Sequence, residues 1–117
     1  MGYYLTIVEN DLQTKKDISH ELKERIDRNE FYLDWEWERG YVGLDDNYFK
    51  WDNSFIKDLL ILKELGVRGY CTAYGEEGEY YKYVINRNGV KEFYGRVVYP
   101  KKPEKIYKGK DDMEDLF

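Results

Sequence analysis

The sequence predicts an α+β domain, an antiparallel sheet with two helices on one of its faces. Three observations predict it. Segments at 3–9, 31–38, 67–74, 79–87 and 90–99 read as strands, most of them alternating with a period of two. Two stretches between them, 17–28 and 55–65, instead repeat their apolar residues every three to four positions. The strands after the second of these are joined by Glu76-Glu77-Gly78 and Asn86-Arg87-Asn88-Gly89, short turns that suit hairpins rather than crossovers.

The first strand, residues 3–9, sets Tyr3, Leu5 and Ile7 against Tyr4, Thr6 and Val8. It is apolar on both faces, as a central strand is. Asn10, Asp11 and Gln13 read as a turn. A helix from Asp17 to Arg28 follows, with the narrow stripe Ile18, Leu22, Ile26 and with Asn29 suited to its end. Residues 31–38 alternate most plainly: Phe31, Leu33, Trp35 and Trp37 on one face, Tyr32, Asp34, Glu36 and Glu38 on the other. Gly40 and Gly43 break that strand, Asp45-Asp46-Asn47 turns the chain, and Tyr48-Phe49-Lys50-Trp51 reads as its short hairpin partner.

Asp52, Asn53 and Ser54 can each cap a helix. The helix from Phe55 to Leu65 is broadly apolar and so the more buried, and Gly66 stops it. Strands at 67–74, 79–87 and 90–99 complete an antiparallel meander closed by Pro100. The expected architecture is a ferredoxin-like two-layer sandwich over residues 1–100, with an extra C-terminal hairpin strand. Residues 101–117 run from lysines to acids and read as a charged tail outside the core.

A chain of 117 residues suits one domain, and 18% aromatic content with 13 Tyr argues for a packed core despite 37% charge. No apolar run is long enough to span a membrane. The start lacks the basic region and cleavage site of a signal peptide, and the single Cys71 cannot form an internal disulfide. The expected location is a reducing cytoplasm. A net charge of −5 disfavours nucleic-acid backbones and anionic membranes, and suits a basic protein partner.

No residue set reads as catalytic, metal-binding or cofactor-binding. His20 is the only histidine and stands among Asp17, Glu21 and Glu24, without the further imidazole or thiolate ligands a transition metal wants. Ser19 is its neighbour in sequence and points elsewhere on a helix, so no triad forms. Cys71, mid-strand, reads as a small buried apolar residue. Gly75-Glu76-Glu77-Gly78-Glu79 lacks the lysine and following helix of a phosphate cradle. Arg68-Gly69-Tyr70-Cys71-Thr72-Ala73-Tyr74 partly resembles the central strand of the RNA-recognition motif. Thr72 stands where that pattern has an aromatic, and the segment follows the second helix rather than preceding it.

What remains is surface. Asp34, Glu36 and Glu38 form an acidic ladder on one strand face, and the hairpin adds Glu76, Glu77 and Glu79. Seven tyrosines on the last three strands divide between two sheet faces, and if both helices cover one face, several must lie on the other. Tyrosine favours sites that are dry on one side and wet on the other.

The chain also resembles a loose set of small phage and prophage proteins. The shared features are the Met1-Gly2-Tyr3-Tyr4 start, Phe49-Lys50-Trp51 before the second helix, the Gly75–Glu79 hairpin and the Asn88-Gly89 turn, over roughly residues 1–95. The resemblance implies a ferredoxin-like fold and no catalytic residues. It implies an accessory protein of a mobile element, a class that includes inhibitors of host defence nucleases such as anti-CRISPR proteins. The expected function is therefore non-enzymatic: binding and inhibition of a host protein with a basic surface, a CRISPR-Cas-type nuclease complex among the candidates. Asp34, Glu36, Glu38, Glu76, Glu77 and Glu79 would supply charge, and Tyr80 and Tyr94 the anchors. Two other uses of the tyrosines are self-association as a homodimer and single-stranded nucleic acid stacked on an open sheet face, the latter disfavoured by the charge.

Overall fold

A computed structural model gives the fold and describes residues 3–96. Among these residues the chain forms β1 (Tyr4–Gln13), α1 (Ser19–Asp27), β2 (Trp35–Glu38), β3 (Tyr41–Leu44), β4 (Tyr48–Lys50), α2 (Ser54–Glu64), β5 (Arg68–Gly75), β6 (Glu79–Asn86) and β7 (Gly89–Arg96). The seven strands make one antiparallel sheet in the order β2-β3-β1-β5-β6-β7, with β4 beside β1. The expected α+β class, antiparallel sheet and pair of helices are all present. The end of the last expected strand, 97–99, and the tail at 101–117 lie outside the described residues.

Alternation along the strands builds the core. Leu5, Ile7, Leu12, Val42, Phe49, Cys71, Ala73, Tyr83 and Ile85 come from the sheet, and meet Ile18 and Leu22 of the α1 segment and Phe55, Leu59 and Leu62 of α2 in one buried cluster. Both helices therefore pack on the same face of the sheet.

β1 runs on through the turn expected at 10–13. Ile7 pairs with Ala73 and Glu9 with Thr72, so Val8 is an extra residue in a bulge. The bulge shifts the alternation by one, which is why buried Leu12 follows the odd-numbered Leu5 and Ile7. The side chain of Asn10, expected to turn the chain, ties the strand instead. Its Nδ2 donates to the Val42 carbonyl at 2.8 Å, and its Oδ1 accepts from the Leu12 N–H at 3.1 Å.

The strand expected over 31–38 is shortened to β2. The amides of Tyr32 and Leu33 donate to Asp58 on α2 at 2.8 and 3.0 Å, which draws this segment toward the helix. The hairpin partner of β2 is β3, not the segment 48–51. Arg39 and Gly40, at φ 52° and 93°, form a two-residue turn that pairs Glu38 with Tyr41. Tyr48–Lys50 instead pairs with the start of β1, where Leu5 opposes Phe49.

Candidate functional site

The face of the sheet turned away from the helices carries the alternate residues of every long strand. Register sets them in rows. Thr6 of β1 opposes both Tyr48 and Tyr74, and Tyr74 opposes Tyr80. The next row runs Glu9, Thr72, Lys82, Phe93, and the one after it Asp11, Tyr70, Val84, Lys91. Tyr4 and Lys50 lie beyond the first row, and Arg68 opposite Gln13 beyond the last.

The rings on this face contact one another. Tyr4 stacks on Tyr48 with centroids 5.0 Å apart and planes 12° from parallel. Tyr74 and Tyr80 meet edge to face at 4.1 Å, and their hydroxyls are hydrogen-bonded to each other. Lys82 Nζ sits 4.7 Å above the Tyr70 ring. The Tyr70 hydroxyl bonds to Glu9, and with the carboxylate so close the phenol is held above its ordinary range. Phe93 is 53% exposed and the bulged Val8 49%. Exposed apolar side chains gathered on one sheet face make it the candidate interaction surface of the described residues. The face also carries Lys50, Lys82 and Lys91 against the anions Glu9 and Asp11, with Glu36 and Glu38 toward its β2 end, while the Arg68 guanidinium donates to the carbonyls of Lys63 and Val67.

The eight residues expected to bind a partner fall in separate places. Asp34, Glu36 and Glu38 are exposed beside the outer edge of β2, Asp34 just before the strand begins. Glu76 and Glu77 are exposed at the β5–β6 turn, where Glu76 Oε1 accepts the Tyr4 N–H at 3.0 Å. Glu38 is linked through Tyr41 to Gln13, the far end of β1, so the two acidic groups stand about 30 Å apart along that strand. Glu79 is buried. It lies on the same face as Tyr81 and Tyr83, and its carboxylate accepts from the Tyr3 hydroxyl and the Glu77 N–H. Gly75 leaves room for that contact, since a Cβ there would overlap the Tyr3 hydroxyl. Tyr80 is on the open face. Tyr94 opposes Tyr81 on the helix side, 61% exposed with its ring 5.2 Å away.

Sequence reasoning missed Asp58. It is 1% exposed, and its carboxylate accepts the amides of Tyr32 and Leu33 and the Trp35 indole N–H, the last at 2.9 Å. Burial raises its pKa above the ordinary carboxylate range, and these hydrogen bonds oppose the rise. The signal was in the pattern, since Asp58 sits between Phe55 and Leu62 on the apolar stripe of α2. It fixes the approach to β2. Cys71 is a buried free thiol, pushed up to about 12 by burial. His20 is exposed and lies 3.6 Å from Glu24 one helical turn on. Among the described residues no three His, Cys, Asp or Glu side chains converge on one point, and no helix is long and apolar enough to cross a membrane.

Set against known protein families, curated proteins and solved structures, the chain finds no match.

Proposed function

We propose that this chain is a non-enzymatic binding protein of a phage or mobile element, acting in the cytoplasm of a bacterial host. Its helix-free sheet face docks on a host protein and inhibits it, and a defence nuclease of the CRISPR-Cas type is the class of target that the sequence resemblance suggests. The observation that carries this reading is the array of exposed rings on that face: Tyr48, Tyr74, Tyr80 and Phe93, with half-buried Tyr4 and Tyr70. Rings on a rigid sheet lose little entropy on binding and bury a large area each. The order β2-β3-β1-β5, with helices after β1 and β4, supports a ferredoxin-like core to which β6 and β7 are appended.

A bacterial lysate passed over the immobilised chain tests this. A specific protein should be retained after nuclease treatment, and lost from a Tyr74→Ala/Tyr80→Ala variant that remains folded by circular dichroism. Retention unaffected by the ring substitutions sinks the assignment of the open face.

A second reading is favoured by one observation. Lys50, Lys82 and Lys91 share the face with the rings, although the whole chain is acidic. Stacked bases with phosphates on these cations would use both features. Recovery of nucleic acid from the same column, abolished by nuclease, selects this reading over the first.

A further inference from the structure

Among the described residues β2 is the end strand of the sheet, and one of its edges has no neighbouring strand. Its hairpin with β3 closes on the pair Glu38–Tyr41 across a two-residue turn. In such a hairpin the closing pair is hydrogen-bonded and the pattern alternates along the strand. Glu36 and Glu38 therefore direct their backbone groups at β3. Trp35 and Trp37 direct theirs at the free edge.

A groove of about 410 Å³ runs along that edge between β2 and α1. Leu22, Ile26, Trp35 and Trp37 supply its apolar lining, with Ile26 and Trp37 only half-buried. Lys23 stands on the α1 side. On the opposite side of β2, Glu36 and Glu38 border a second hollow of about 380 Å³ with Arg39 and Tyr41. On the neighbouring helix Glu21 is paired with Lys16 and Glu24 with Arg28, while Asp27 enters no ion pair among the described residues. Asp34, Glu36 and Glu38 enter no such ion pair among the described residues.

We infer that β2 accepts an extended segment of a partner protein as an added strand, one that alternates basic and apolar residues. Side chains directly opposite in a sheet share a face. The apolar residues of the added strand lie against Trp35 and Trp37 and fill the groove under α1. The basic ones lie against Glu36 and Glu38. Main-chain bonding supplies the affinity of such an added strand, and the alternate pockets supply the choice of sequence. The carboxylates decide the charge of the occupant: Asp34, Glu36 and Glu38 outnumber the bases Lys23 and Arg39 that line the same hollows, so the strand's surroundings are net acidic and favour a basic segment. Glu36 and Glu38 share the helix-free face, through the pairs Glu38–Tyr41 and Tyr41–Gln13, but stand at its β2 end, away from Tyr74 and Tyr80. The inference rests on the partner being a protein, as proposed above.

The test uses the full chain, ¹⁵N-labelled, and a synthetic eight-residue peptide of alternating lysine and valine. Titration should shift the amide signals of Trp35–Glu38 and of α1, and slow hydrogen exchange at Trp35 and Trp37. N-methylation of the valine amides, which face β2 in an antiparallel pairing, should abolish binding, and N-methylation of the lysine amides should leave it. A peptide of alternating glutamate and valine should not bind. Glu36→Lys/Glu38→Lys should weaken the lysine peptide at least tenfold while leaving the spectrum of the remaining residues in place. Equal binding by both methylated forms means charge attraction without strand pairing and overturns the proposal. Shifts centred on another surface, or none up to millimolar peptide, overturn it as well. Since Tyr74 and Tyr80 take no part, loss of peptide binding with lysate capture intact refutes this inference alone. The reverse result refutes the aromatic-face reading alone.

Discussion

Asp58 shows how one side chain can set the course of a distant segment. Its carboxylate takes three donors from residues 32–35, ends the extended pattern early and delivers Trp35 to the core. Asp58→Ala leaves all three donors without their acceptor and should cost about 3–5 kcal/mol in urea unfolding. Its titration has a definite sign. The folded carboxyl ionises above its ordinary value of 3.8, so the unfolded chain releases its proton first as pH rises. The stabilising contribution of Asp58 is thus full below the ordinary value and declines as pH climbs to the raised one. The difference in stability between the wild type and Asp58→Asn should shrink over that window. A difference that grows with pH would show that the hydrogen bonds outweigh the burial.

Among the elements, β1 is the one whose reading changed most. Its first half is legible from Leu5 and Ile7, and its second half is hidden by the bulge at Val8, after which the buried position moves to Leu12. A period-two pattern interrupted by one residue looks like a strand followed by a turn, all the more so when Asn10, Asp11 and Gln13 follow. Deleting Val8 should force Leu12 toward solvent if the first half keeps its pairing. The expected cost is about 2–5 kcal/mol, comparable to emptying a core leucine site. Val8→Thr keeps the extra residue and should fall within about 0.5 kcal/mol of the wild type. Both are checked by chemical denaturation. The exposed acids of β2 were legible as a ladder. That they flank a groove was not, because α1, which supplies the other wall, lies earlier in the chain and nothing local joins the two.

At the scale of the whole molecule the sheet has a centre and two margins. β1 is flanked on both sides and β5 lies between β1 and β6, whereas β2 and β7 each have one neighbour among the described residues. Amide exchange should be slowest in β1, β5 and β6 and fastest in β2 and β7, read by exchange spectroscopy under native conditions. Fast exchange in β5 would contradict the topology. The same arrangement separates the charges. The whole chain carries −5, yet the open face holds Lys50, Lys82 and Lys91 among its rings, while Asp34, Glu36 and Glu38 stand at the β2 end and Glu76 and Glu77 at the β5–β6 turn. Net charge alone therefore describes neither surface.

Alternation, helical spacing and turn residues suffice to read the α+β class, both helices, the β5–β6–β7 meander, the burial of Cys71 and the exposure of His20, because each depends on residues within one turn or one strand of each other. The partner of β4, the inward turn of Glu79 and the role of Asp58 depend on contacts across tens of residues. Glu79 looks like any hairpin acid until Tyr3, from the other end of the described chain, donates to it. Local pattern says which residues share a face; only the assembled sheet decides whether that face meets a helix, a neighbouring strand or water.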